Sequence, residues 1–240
     1  MYLFVPNIVM LHHVSDRKSF QSLEPYSISN NSFLRLLDSI QSQNIQTLTF
    51  FDLLKHKPSR KSIIITFDDC SRELLTFAIP ELTKRNMKAV FYIPTDYVGL
   101  YNQWDVEEGK EKVDLFTEDD IINLSLNPNF EIGSHSVSHR KLSKLSTVEV
   151  LKELKDSKDF LERLIQKKVI SFAYPFGELP KNNDQFLQKT GYFFGCGIYV
   201  KNPGKYALRR FIYHNEDSKV STWLKLSCLY KVMRMIRDKF

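Results

Sequence analysis

Ser62-Ile63-Ile64-Ile65-Thr66-Phe67 runs straight into Asp68-Asp69. Six residues with hardly a polar break do not suit a strand wetted on one face. They suit one covered on both, as in a parallel sheet enclosed by helices. The two carboxylates at its end are the second half of the signal. Like charges so close raise each other's pKa unless a cation neutralises one of them. The pair therefore points to a metal held by one Asp, with the other left as a base.

The same kind of run recurs at residues 8–11, 89–93, 130–133, 169–174 and 192–194. Helical patterns lie between these runs, at 33–43, 73–86, 117–126 and 147–166. The clearest is 147–166, where Ser146 and Glu149 have capping-box spacing and Val150, Leu151, Leu154, Leu161, Leu164 and Ile165 form one apolar stripe. Thr117 is the expected cap of 117–126. Alternating strands and helices predict an α/β fold with a mostly parallel sheet. Chemistry-bearing residues follow the strands directly: His12-His13, Asp68-Asp69, His135 and Pro175-Phe176-Gly177. In a parallel barrel all these strand ends converge on one mouth.

Length and composition set the frame. The 240 residues, 42% hydrophobic and 13% aromatic, carry no linker, repeat or low-complexity tract, so a single domain over 1–240 is expected, with a polar surface loop at 15–31. A net charge of +6 spread along the chain lacks the clustered basic groove of a nucleic-acid binder. Cys70, Cys196 and Cys228 are too few for a disulfide framework, and the N-terminal residues lack a basic region and an uninterrupted apolar core. A cytoplasmic protein is the expectation. Residues 222–240 set Leu226, Leu229, Met233, Ile236 and Phe240 opposite Lys225, Lys231, Arg234 and Arg237, a basic amphipathic helix. Docking on the barrel is expected of it, with peripheral contact to an anionic membrane as the alternative.

His135-Ser-Val-Ser-His139 alone is a weak metal signal, and Asp68-Asp69 alone is weaker. Each after a strand, they supply together a carboxylate, two imidazoles and a spare carboxylate. Thr66-Phe67-Asp68-Asp69, Glu131-Ile-Gly-Ser-His135-Ser-Val-Ser-His139 and Phe172-Ala-Tyr-Pro-Phe-Gly177 resemble the first three motifs of the polysaccharide deacetylase family, carbohydrate esterase family 4. The resemblance runs from about residue 8 to 217 and falls in the subgroup with Phe-Ala-Tyr-Pro as its third motif. It implies a distorted, incomplete (β/α) barrel, TIM-like with about seven strands, and hydrolysis of an acetamido group on an amino sugar. It also implies a divalent metal, usually zinc, on Asp69, His135 and His139, with Asp68 as the base. Such a donor set also accepts Co, Ni, Mn and Fe.

The backbone N–H of Phe176 would face the oxyanion, with Tyr174 and Pro175 beside it at the substrate. His12, in Met10-Leu-His-His-Val14, resembles the N-terminal general acid of the poly-N-acetylglucosamine deacetylase branch, although Leu11 stands where that branch has Tyr. His13 is the competing candidate. The family's base-orienting Arg two residues before the third-motif Pro is Ala173 here; Arg210 resembles a later Arg of the subgroup and is a candidate to orient Asp68, against the ordinary role of a surface salt bridge. Cys70 replaces the customary Gly after the Asp pair and reads as a small buried filler. Trp104 is a candidate for stacking on a sugar ring, against the ordinary role of a packing residue. Two rival functions use the same residues. A non-haem iron oxygenase shares the ligand set but has no use for Asp68. An inactive carbohydrate-binding relative would not need all four metal-site residues.

Overall fold

The computed structural model describes residues 5–198, 200, 203–227, 229–230 and 233–234. Its strands are β1 (Asn7–Leu11), β2 (His13–Val14), β3 (Ser27–Ile28), β4 (Gln46–Leu48), β5 (Ser62–Phe67), β6 (Ala89–Ile93), β7 (Phe130–Ser134), β8 (Ser171–Ala173), β9 (Phe194–Gly197), β10 (Leu208–Arg209) and β11 (Phe211–Ile212). The main sheet runs β10-β9-β8-β7-β6-β5-β1-β11, with β4 branching from β5, while β2 and β3 form a separate pair. All these pairings are parallel.

The two ends of that eight-strand path are neighbours in the chain, separated by Arg210 alone. The sheet therefore nearly closes into a barrel. Where about seven strands were expected there are eight, because the last stave is split: β10 pairs with β9 and β11 with β1. Arg210 sits at the seam.

Helices α1 (Asn30–Ser42), α2 (Phe50–Lys55), α3 (Glu73–Thr76), α4 (Ala78–Lys84), α5 (Gln103–Val106), α6 (Glu118–Leu126), α7 (Thr147–Ile165), α8 (Asn183–Lys189) and α9 (Lys219–Leu226) complete the fold. Capping boxes start α6 at Thr117 and α7 at Ser146, as their sequences predict. The helix expected over 73–86 is broken at Phe77 (φ −140°, ψ −58°). Pro80 explains the break. A proline cannot accept a place in a helix interior, so the chain restarts and Pro80 falls in the first turn of α4.

The expected C-terminal helix over 222–240 is also revised. α9 begins at Lys219 and ends at Leu226, capped by Ser227, whose ψ of 158° is extended. Residues 229–230 and 233–234 are again helical, while Ile236 and Phe240 of the stripe lie outside the described residues. Leu226 packs into the core, whereas Leu229 and Met233 are exposed. The expected loop over 15–31 contains β3 and the start of α1.

Alternation along the strands sorts their residues into two cores. Ile63, Ile65 and Phe67 join the cluster under the helices, with Val9, Leu11, Phe91, Ile132, Phe172 and Tyr174. Ile64, Ile8, Val90, Tyr92, Ala173 and Cys196 fill the barrel, plugged at its lower end by Phe50 and Leu53 of α2. Gly133 belongs to the inward row, since a Cβ there would lie 2.4 Å from the Tyr92 ring.

Glu131 is another inward residue, 3% exposed, accepting hydrogen bonds from the Ser171 hydroxyl (2.8 Å) and the Phe51 N–H (3.0 Å). Burial raises its pKa from 4.5 to about 7, more than those bonds hold it down. The folded state thus binds more protons than the unfolded chain between these values. Stability should fall as pH rises from about 4.5 through about 7, by on the order of 3 kcal/mol, and level off above. Glu131→Gln should flatten that decline in melting temperature measured from pH 5 to 8. Parallel curves for the two proteins would remove Glu131 as its source.

Candidate active site

The inward row carries the site. Continuing the alternation past the strand ends brings His12 after β1, Asp68 after β5 and His135 after β7 to the barrel mouth. The ladder itself extends to them, because Asp68 N–H donates to Leu11 O and His135 N–H to Ile93 O, both at 2.9 Å. Asp69, next in line, would point away. Its φ of +63° turns the chain and returns its carboxylate to the mouth. His139 arrives from the loop after β7, also with positive φ (+52°).

Asp69 Oδ1 lies 3.5 Å from His135 Nε2 and 3.2 Å from His139 Nε2. All three side chains are buried, and their donor atoms fall within 4.8 Å of one another. Asp69 Oδ1 nevertheless has no partner with hydrogen-bond geometry. A buried, unpaired carboxylate oxygen facing two imidazole nitrogens fits a divalent cation of the kind imidazole and carboxylate prefer. His135 Nδ1 makes a 2.8 Å hydrogen bond with Ala173 O. Donation to that carbonyl fixes the tautomer and leaves Nε2 for the metal. Burial, then the charge of Asp68, act in opposite directions on His135, and the net effect lowers its pKa to about 4, so the ring is neutral as a ligand must be.

Asp68 stands apart from that set. Both its oxygens accept from Arg210, at 2.6 Å each, and Oδ2 is 3.9 Å from His135 Nε2. Arg210 is 1% exposed and also donates to Thr66 Oγ1 at 3.2 Å. Burial alone would raise the Asp68 pKa; Arg210 and His135 outweigh it and bring it below the ordinary value. Asp68 is thus ionised at neutral pH. Arg210→Met would leave that carboxylate buried and unpaired, a change that typically costs about 3–5 kcal/mol. We expect sharply reduced turnover, a base whose pKa moves up, and unchanged metal content. The acid limb of the pH–rate profile should shift to higher pH, whereas Arg209→Met, at a residue that donates to Val200 O, should leave it in place. Equal profiles for the two variants would return Arg210 to a purely structural role.

A family model described as polysaccharide deacetylase matches residues 55–195, more than half of the chain. The chain belongs to the polysaccharide deacetylase family. A putative polysaccharide deacetylase, YxkH of Bacillus subtilis, is 26% identical over 212 residues, spanning 85% of this chain and 69% of that protein. The poly-beta-1,6-N-acetyl-D-glucosamine N-deacetylase of Staphylococcus aureus is 23% identical over 210 residues, spanning 81% and 70%. Among solved structures, the Streptococcus pyogenes deacetylase PplD in complex with acetate superposes with a TM-score of 0.79 at 20% identity, over 92% of this chain and 98% of that one.

The remaining candidates divide. His12 is half-buried, its ring 4.6 Å from that of Tyr26. His13 belongs to the outward row: it is 2% exposed, sits edge-on to Phe20, and burial lowers its pKa to about 4. Trp104 stacks on His139 with ring centroids 3.9 Å apart, so it reaches the metal-type ligands themselves. Phe176 is 37% exposed with its ring 4.9 Å from that of His139. Its φ is +59°, and its N–H donates to no acceptor among the described residues.

Tyr174, expected at the substrate beside Phe176, directs its side chain away from the mouth. It occupies an outward position, is 1% exposed, packs on Phe172 and donates its hydroxyl to Tyr206 O at 3.0 Å. Pro175 is buried and opens the turn that presents Phe176. Cys70 is a filler as expected, its thiol directed at Tyr92 O (3.3 Å) and its pKa pushed well up by burial.

One residue of this deacetylase site escapes motif reading. Glu153, on the buried face of α7, reaches the loop between His135 and His139. The signal was present: Glu153 and Ser157 share the helical face of Val150, Leu154 and Leu161, and a carboxylate in an apolar stripe needs a partner.

Proposed function

We propose that the protein is a metal-dependent N-deacetylase that releases acetate from N-acetylated amino sugars in a polysaccharide or oligosaccharide. The observation that carries this reading is the juxtaposition of three buried donors, Asp69, His135 and His139, with a second carboxylate, Asp68, that is held outside the set by Arg210. The relatives supply the substrate class: the Staphylococcus aureus protein is named for poly-beta-1,6-N-acetyl-D-glucosamine. An iron oxygenase would need the three donors alone. A carboxylate kept ionised by Arg210 beside the three donors suits a base, for which an oxygenase has no use.

Asp69, His135 and His139 would hold a divalent metal, zinc being the best suited, which when bound acidifies a water and polarises the acetamide carbonyl. Asp68 accepts the proton of the attacking water, its lone pairs aimed by the two Arg210 hydrogen bonds. Phe176 offers an unused backbone N–H to the oxygen that becomes negative in the tetrahedral intermediate. His12 donates a proton to the amine nitrogen as the C–N bond breaks, so acetate and a free amino sugar leave. Trp104 lines the mouth where the sugar ring must lie.

Acetate release from N-acetylglucosamine oligomers and polymer tests this directly. The expected result is release by the metal-loaded protein, loss after chelation and recovery when zinc is returned. No release from any N-acetylhexosamine substrate with Zn, Co, Ni or Mn would overturn it.

A further inference from the structure

We infer that Glu153 is a positioning residue for the metal centre, a carboxylate on α7 that fixes the loop between His135 and His139. The inference rests on the metal reading above and adds to it the means by which the second histidine is held. Each N–H from Ser136 to His139 has an acceptor. Those of Ser136 and His139 are local, to Ser134 Oγ (3.3 Å) and Ser136 Oγ (3.1 Å). Those of Val137 and Ser138 both go to Glu153 Oε2, at 2.9 Å each. Its other oxygen accepts from the Ser138 hydroxyl (2.5 Å) and from Arg140 (3.1 Å).

Two consecutive amides turned toward one carboxylate make a small anion-binding nest, and here its anion is supplied by the protein. The turn needs such a tie because its ends are unfavourable: Ser136 and His139 have φ of +68° and +52°, a region that residues with a Cβ adopt only when their surroundings impose it. From the other side the Thr95 and Asp96 N–H groups donate to Ser136 O and Val137 O. The loop is therefore pinned between the segment after β6 and a 19-residue helix.

Glu153 is 5% exposed, and its four donors offset the cost of burying its charge. Burial alone would raise its pKa; the bonds from Ser138, Arg140 and Val137 prevail and lower it. An apolar residue would serve packing equally well at this position, which lies between Val150 and Leu154 on the helix. What only a carboxylate supplies is two oxygens for four donors.

The test is cobalt binding by Glu153→Gln, with Glu162→Gln as a control on the same helix far from the loop. An amide has one acceptor oxygen, so it cannot satisfy both donor pairs. Glu153→Gln should fold, bind Co2+ about 10–100-fold more weakly and show an altered visible spectrum of the bound ion. Glu162→Gln should match the wild type in both. Ser138→Ala removes a single hydroxyl from the nest and should weaken Co2+ binding to a smaller degree. It decides the matter alone if the Gln variant does not fold. Wild-type affinity and spectrum in the folded variants would overturn the positioning role. Failure of the wild-type protein to bind Co2+ would instead refute the metal reading on which it rests.

Discussion

Asp68→Asn is expected to keep its metal and lose turnover by about 10²–10⁴-fold, the usual worth of a positioned base. Asp69→Ala, His135→Ala and His139→Ala should each lose both. The division follows from geometry. Asp69 is the carboxylate whose Oδ1 lies within 3.2–3.5 Å of the two imidazole nitrogens with no partner in hydrogen-bond geometry, whereas both oxygens of Asp68 are engaged by Arg210. Asn retains one carbonyl oxygen for Arg210 but no charge, so the variant will also be less stable, and its kinetics belong well below its own melting temperature. Elemental analysis beside acetate release reads the outcome. Metal loss in Asp68→Asn equal to that in Asp69→Ala would place both carboxylates on the ion and remove the base from the scheme.

The strand-end chemistry was legible because a parallel barrel makes it so. Largely apolar runs mark β1, β5 and β6, β7 differs by the single inward Glu131, and polar residues directly after such runs emerge at the mouth. The elements that escaped reading are those whose existence depends on tertiary contacts. β4 and α2 are three and six residues long, and the stretch Thr47-Leu48-Thr49-Phe50-Phe51 has no period that separates strand from helix. α2 is a helix because Glu131 accepts the N–H of Phe51 in its first turn and the barrel takes up Phe50 and Leu53. The split of the last stave at Arg210 was hidden for a similar reason. It arises where one chain must pair with both β9 and β1, and no local pattern records that.

Side-chain direction explains the site residues that were read and the one that was not placed correctly. Tyr174 lies within a motif, but motifs do not state parity. One step along the strand separates Ala173, which faces the barrel, from Tyr174, which faces the helices. Parity is overridden only where the backbone takes positive φ. Asp69, Cys70, Ser136, His139 and Phe176 all do so without being glycine, and all five belong to the loops at the mouth. Such residues cost of order 1 kcal/mol or more each and persist where the surroundings impose them. The other four such residues among those described, Asn44, Asn86, Gln166 and Asn182, flank helix ends, where Asn in particular adopts this region at little cost, so the five at the mouth are the ones that call for a functional reason.

Parity also separates His12 from His13, and from it follows the prediction with the sharpest substrate signature. His12 continues the inward row of β1 to the mouth. His13 is packed against Phe20, with burial lowering its pKa to about 4, so at neutral pH it is not the imidazolium that a general acid must be. An acid matters in proportion to how badly the leaving group needs a proton. An amine expelled from a tetrahedral intermediate must be protonated; a phenolate leaving an activated aryl acetate need not be. His12→Ala should therefore lose about 10²–10⁴-fold in turnover of an N-acetylated sugar while retaining most of its activity on the aryl ester, with metal content unchanged. His13→Ala should lower stability, by emptying a buried site, and affect both substrates alike. Equal losses on amide and ester in His12→Ala would deny it the role of acid, and a selective loss of amide turnover in His13→Ala would move that role one residue along the chain.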